Sequence, residues 1–509
     1  VAHTDKVYEL ISSLSRGEKL NFKKSAAKHI IGNSGNGYTR LFDRINLQTK
    51  NGKYSESDIR NYFSSESFIK NLSVMKAYLY ECILKELSPP AGQSKSWEYL
   101  SHANKLLSKG LYWRFTEMIT KAKKTAAEDE EMNALLCVHE AEFNFGTKYI
   151  IENQKKRLKE ILREESVTLK KISNLHQYRH RLLEIPFFSS MEVLIRDNRL
   201  KNKIKKMLKS DPFLSSDRSA SFRAKFLYLM IKAMCYYSMG DFLKAFNYYE
   251  KLLGVIESSP ALQKVVTNHT LVYYNYIYNA MLLKKFDKAK QQIGGFEKLL
   301  LKKGPKLNRS VKIICYASYY LCRLDLIILK ADEQEGAKTL AEAEKFILSC
   351  GSVKNHNVLH LMFTISIAYF ASGNYHRALH WINRYINENN EYELGDFAIG
   401  VKILGIFIHY ELKNFELLPY YVKSLYRFLL RKKKAYRFEV IIIKFIRKLS
   451  SVKTNEDFIF SLKHLKKELE ALKSDPFEAR IFREYFDYIS WIESKIENKP
   501  VGEIIRSKL

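Results

Sequence analysis

The sequence is short of residues that turn a chain: its 509 positions include 20 glycines and 9 prolines. A β-rich protein of this length needs many more, so the scarcity excludes an all-β fold and leaves a nearly all-helical one. Cysteine is sparse too. Cys82, Cys137, Cys235, Cys315, Cys322 and Cys350 include no C-x-x-C pair, and the nearest two stand seven apart. That argues against a cysteine metal cluster or a disulfide framework and predicts reduced, buried thiols. Long apolar runs are missing; even Val440-Ile441-Ile442-Ile443 is closed by Lys444. No membrane span is expected. The first ten residues carry Asp5, Lys6 and Glu9 and do not read as a signal peptide, so a cytoplasmic protein is expected. Acidic residues are in the minority, 55 against 85 basic, for a formal net charge of +30. Such a surplus favours anionic partners (nucleic acid, an acidic protein, a membrane surface), or else reflects solubility alone.

What is present is an ordinary hydrophobic share, 46%, with 33 tyrosines and 30 phenylalanines to fill the seams between helices. The chain is too long for one compact core, so it reads as several domains or one long stack. Ser15-Arg16-Gly17-Glu18 has capping-box spacing, which starts a helix running to about Lys28. Gly32 to Gly37 reads as a loop that resembles a phosphate-binding one, but no Gly-Lys-Ser/Thr follows it. Pro89-Pro90 closes a helical region over residues 1–90, and residues 95–210 follow as helical hairpins, a long charged helix at about 152–184 and a basic run. That run, Arg196 to Lys209, holds one acid, Asp197, and is expected to be a flexible basic loop. Asp211-Pro212 suits a helix start, and Asp475-Pro476-Phe477-Glu478 repeats the signal.

A phrase then recurs. Ala233, Tyr236, Gly240-Asp241-Phe242 and Ala245 are echoed by Ser366, Tyr369, Gly373-Asn374-Tyr375 and Ala378. Each copy reads as an amphipathic helix, a tight turn and a second helix, a unit that buries its apolar face only by stacking on neighbours. The turn aromatics Phe242, Phe286, Tyr375 and Phe415 are separated by 44, 89 and 40 residues. The double spacing predicts one hidden unit, with its turn near Ala331–Gly336 and a second helix through Ala341, Ala343 and Phe346.

This phrase resembles the tetratricopeptide repeat (TPR). The resemblance implies an all-α fold: a superhelical α-solenoid of TPR-like antiparallel hairpins over residues 211–450, with an N-terminal helical region before it and capping helices over 451–509. Lys284 and Lys413 depart from the family by standing where Gly belongs, Leu418 by replacing Ala, and Pro419 by following inside the second helix. The first 90 residues are similar to the leading segment of bacterial TPR-like proteins, which implies no activity. In TPR stacks the first helix of each hairpin lines the concave face. By that resemblance Tyr237, Tyr274, Tyr278 and Phe370 would face the groove and anchor a polypeptide; the plainer reading packs them between helices. Met230 and Met234 replace the family's Lys and Asn clamp for acidic C-terminal peptides, so that activity is not expected.

Arg427, Arg431, Lys432, Lys433, Lys434 and Arg437 form the densest basic cluster, interleaved with Tyr426, Phe428, Tyr436 and Phe438. Cations with aromatics suit phosphates and bases, and also suit a solvated helix end. Three His-x-x-x-His pairs, His176/His180, His356/His360 and His376/His380, share helix faces, but no third ligand is placed beside them. No catalytic motif occurs, so no enzyme, cofactor or metal is expected. The leading expectation is a non-catalytic scaffold with a protein or peptide partner; the alternative is an RNA- or ribosome-associated basic protein.

Overall fold

Apolar residues at helical spacing, with few residues to interrupt them, produce what that pattern dictates. The structure, a computed structural model, describes residues 5–27, 37–50, 54–87, 94–108, 110–149, 153–185, 198–330, 333–351, 355–388, 397–432, 437–449, 454–475, 478 and 486–508. Of the described residues 86% are helical and none is in a strand. Among the described residues no helix is long and apolar enough to cross a membrane. Contacts divide the chain into two compact units, residues 1–168 and 169–509. The division falls within the 95–210 region, because one helix, Gln154–Leu183, gives its first half to one unit and its second half to the other.

In the first unit, Asp5 caps α1 (Lys6–Ser13) by accepting from Val7 N and Tyr8 N. The capping box forms: Ser15 N donates to Glu18 Oε2 at 2.7 Å and Glu18 N to Ser15 Oγ at 3.2 Å, opening α2 (Arg16–Ala27). The Gly32–Asn36 part of the glycine-rich loop lies outside the described residues. With α3 (Gly37–Lys50), α4 (Glu56–Tyr62) and α5 (Leu72–Leu87), these helices bury Ile11, Phe22, Phe42, Ile45, Ile59, Phe63 and Leu79. A second core, with Phe115, Ile119, Val138 and Phe145, joins α6 (Lys95–Ser108), α7 (Tyr112–Glu128) and α8 (Met132–Lys148). The long helix α9 (Gln154–Leu183) follows.

The second unit opens with a correction. The basic run is not a loop: Asn198–Ser210 is a helix, α10, with Ile204 and Leu208 buried. Leu200, Ile204, Met207 and Leu208 recur at helical spacing and pack in one core, which outweighs the run's charge. Asp211 starts no helix either. Its carboxylate takes Arg181 Nε at 2.9 Å and Phe213 N at 2.7 Å, and the chain turns there. The next helix, α11 (Phe222–Ser238), begins at the N-cap Ser221. From it run paired helices: α12 (Phe242–Ser258), α13 (Val266–Leu282), α14 (Phe286–Lys303), α15 (Arg309–Lys330), α16 (Glu333–Cys350), α17 (His356–Ala371), α18 (Tyr375–Asn387), α19 (Phe397–Glu411) and α20 (Leu418–Lys432). Within pairs α11 packs on α12, α13 on α14, α15 on α16, α17 on α18 and α19 on α20; between pairs α13 packs on α15, α15 on α17 and α17 on α19. The α15–α16 pair stands where the spacing demands a hidden unit, with Ala341, Ala343 and Phe346 on α16; Ala331 and Asp332 lie outside the described residues.

Four of the pairs share one turn. Gly240, Lys284, Gly373 and Lys413 all take left-handed φ, between 54° and 85°. At each, that residue's N–H bonds three residues back and the next N–H bonds five back, as from Gly240 to Tyr237 O and Asp241 to Tyr236 O. This double closure satisfies carbonyls the helix end leaves free. Ala233, Ala245, Ser366 and Ala378 are fully buried, as close helix crossing requires. Glu344 of α16 accepts Tyr369 Oη and Trp381 Nε1, both at 2.8 Å, and so ties one pair to the next. Pro419 breaks nothing, because Phe415–Leu417 is a separate 3₁₀ turn and α20 restarts at Leu418. Pro419 therefore sits in a first turn, where a missing N–H costs nothing.

The chain ends in α21 (Arg437–Leu449), α22 (Asn455–Leu472), α23 (Tyr488–Glu497) and α24 (Val501–Ser507). In the Asp475-to-Glu478 signal, Pro476 and Phe477 lie outside the described residues; buried Glu478 accepts Arg437 N and Phe438 N at 3.3 Å each. Four cysteines are buried and two half-buried, all as free thiols; burial pushes the Cys235 thiol up to about 12.

Candidate functional site

Aromatic rings of neighbouring first helices meet beside these turns. Tyr237 on α11 lies 5.4 Å from the turn ring Phe242 and 6.3 Å from Tyr278 on α13. Tyr274 and Tyr278, one helical turn apart, stack at 6.2 Å. All three are half-buried, with one side packed on the core. The structure thus gathers three of the four expected groove residues into one row across two neighbouring hairpins.

Phe370 does not join them. It is fully buried, against Phe486 at 5.0 Å and Tyr375 at 5.4 Å. The cause is distant in sequence: the C-terminal segment lies on the first helices of the later pairs. Tyr488 and Trp491 each meet Phe407 at 4.8 Å, Trp491 meets Tyr410 at 6.1 Å, and α24 packs on α15. Trp491 Nε1 donates to the Glu411 carboxylate at 2.5 Å, and Lys495 adds its charge at 2.7 Å. Tyr488 and Trp491 are fully buried, so this cover is core packing.

First helices α15 and α17 also carry titratable groups, of which the sequence pattern marked His356 and His360 but not Asp325. Asp325 on α15 is crowded by protein, and desolvation pushes its carboxyl up to about 7. His360 on α17 keeps some solvent contact, yet desolvation and then the neighbouring His356 push it down to about 3. His376 and His380 lie exposed on α18, the other helix of that pair, and His176 and His180 lie exposed on α9.

Of the basic cluster, Arg427 and Arg437 are exposed. Lys433 and Lys434 lie outside the described residues, as do the side chains of Arg431 and Lys432. A recess of about 680 Å³ is lined by Tyr420, Lys423, Ser424, Arg427 and Leu430. These share one face of α20 at helical spacing. Tyr420 is 71% exposed, a large ring left in water beside two cations. Sequence reasoning reached Arg427 and missed the other four, although the same periodicity marks them.

A further grouping lies in the first unit. His139 and Glu142 on α8 and Glu164 on α9 place one ligand-type atom each within 4.8 Å of one another, the one such convergence among the described residues. His-x-x-Glu on one helix is a local signal that sequence reasoning passed over; the approach of Glu164 is tertiary. No family model matches the chain, and a search of curated proteins finds no match.

Proposed function

We propose that the paired helices of the second unit act as a TPR-like solenoid, and that this solenoid is a non-catalytic scaffold holding a polypeptide segment against its first helices. The observation that carries this reading is the row Tyr237–Tyr278–Tyr274: half-buried aromatic rings, contiguous across two hairpins. Such rings supply contact area at low entropic cost and are typical anchors of peptide grooves. Phe370 drops out of the binding set, because the chain's own C-terminal helices cover that stretch. The groove that remains lies over the α11–α14 pairs.

A peptide-display selection on the purified chain tests this. It should enrich one sequence class, and Tyr274→Ala with Tyr278→Ala should weaken the enriched peptides by about thirtyfold, as expected for hot-spot rings. Circular dichroism should show both variants still helical, since the rings also pack on the core. Enrichment that ignores both substitutions would sink the reading.

The α20 recess favours a second reading, nucleic-acid binding, since Tyr420 stands exposed on the same helix face as Lys423 and Arg427. It requires RNA affinity that falls steeply with salt and drops on Lys423→Glu or Arg427→Glu.

A further inference from the structure

We propose that His139, Glu142 and Glu164 form a binding site for a divalent transition-metal ion of the zinc class, held in competition with Lys123. The argument starts from one hydroxyl. Thr168 Oγ1 donates its hydrogen to Glu164 O at 3.0 Å. Its contact with His139 Nε2, at 3.3 Å, therefore requires the imidazole to donate. With the proton on Nε2, the Nδ1 atom presents a lone pair. That lone pair faces two more acceptors, Glu142 Oε2 and Glu164 Oε2, each 3.8 Å away. His139 is 98% buried by its 2% exposure, and Nδ1 has no hydrogen-bond partner. Three converging acceptors, one of them orphaned in the interior, ask for a positive centre among them.

A proton on Nδ1 would give ion pairs at 3.8 Å but no hydrogen bond, because that distance exceeds hydrogen-bond length to either carboxylate. Lys123 serves in part: its ammonium pairs with Glu142 Oε2 at 2.8 Å and with Glu164 Oε2, but no bond joins it to His139. A metal would engage all three. Ligand atoms on a tetrahedral zinc stand roughly 3.3 Å apart, so each carboxylate oxygen would close on Nδ1 by about half an ångström from 3.8 Å, within a set whose atoms already lie inside 4.8 Å, with water as the fourth ligand. The imidazole selects against calcium and magnesium, which take oxygen alone.

The supporting shell is already built. Thr168 orients the ring through Nε2, and Arg157 holds the other oxygen of Glu142 at 2.9 Å. Such outer contacts fix the tautomer and carboxylate angle that a metal needs. Lys123 is 23% exposed on α7, so its chain can swing into solvent as the ion enters. The ion would then tie α8 to α9 where Lys123 ties both to α7.

The test uses the full chain, stripped with chelator, and zinc or cobalt(II) alone. One equivalent should bind, cobalt giving the visible absorption of a tetrahedral N/O site. His139→Gln and Glu164→Gln should each weaken binding roughly 10–100-fold, with helicity unchanged by circular dichroism. Lys123→Met, which removes the competitor and keeps the ligands, should tighten it by about tenfold. Two results overturn the proposal. One is an absence of binding in both the parent chain and Lys123→Met. The other is binding that His139→Gln leaves intact, which would place the ion on other histidines.

Discussion

Lys284 and Lys413 occupy the left-handed turn positions that glycine fills at Gly240 and Gly373. A side chain there costs about 1–2 kcal/mol of backbone strain, while glycine adds some entropy to the unfolded chain. Lys284→Gly and Lys413→Gly should therefore each stabilise the protein by about 0.5–1 kcal/mol, and Gly240→Ala and Gly373→Ala should do the reverse. Chemical denaturation midpoints check the sign. A second residue-scale effect belongs to His269, which is buried on α13 beside the ring of Tyr273. Desolvation, then the charge of Lys303, push its imidazole from 6.5 down to about 4. Between those values the unfolded chain takes up a proton that the folded chain refuses. Its contribution is thus whole above pH 6.5 and falls as pH drops toward 4. His269→Phe should remove on the order of 2 kcal/mol of acid sensitivity between pH 7 and 4.5. Equal losses in parent and variant would exclude it.

At the scale of helices, small residues do what large ones cannot. Ala245 and Ala378 are fully buried where second helices cross their neighbours. Ala245→Leu or Ala378→Leu should overpack these crossings and cost about 1–3 kcal/mol, read from the unfolding midpoint. Much at this scale was legible in the sequence. The Gly-Asp/Asn-aromatic phrase marked two turns outright, and spacing located those at Lys284 and Lys413, which lack the glycine signal, and the α15–α16 pair between them. Two elements were misread for the same reason: local composition competed with a partner far along the chain. The cationic run became α10 because Ile204 and Leu208 had a core to enter. Asp211 became a turn because Arg181 claimed its carboxylate. The Glu130 turn between α7 and α8, also left-handed, carried no glycine and no repeat spacing to betray it.

Across the whole molecule the surplus of +30 acts on every contact at once. Like charges gathered on a folded surface repel, and salt screens them within about 10 Å at 0.1 M. Raising sodium chloride from low to physiological concentration should raise the melting temperature, measured by scanning calorimetry. A flat or falling profile would show that local ion pairs such as Lys76 with Glu56 and Asp5 already neutralise the surplus.

The sequence alone determined the helical class, the hairpin unit and its turn, because those depend on periodicity and on backbone preferences within a few residues. It placed Tyr237, Tyr274 and Tyr278 on first helices for the same reason. Only the tertiary structure decided that Phe370 is fully buried while Tyr278 is half-buried, since the covering ring, Phe486, comes from more than a hundred residues away. It alone brought Glu164 to His139 and set Lys123 against both carboxylates. Burial and charge meet in space, and no local pattern encodes which distant segment will arrive.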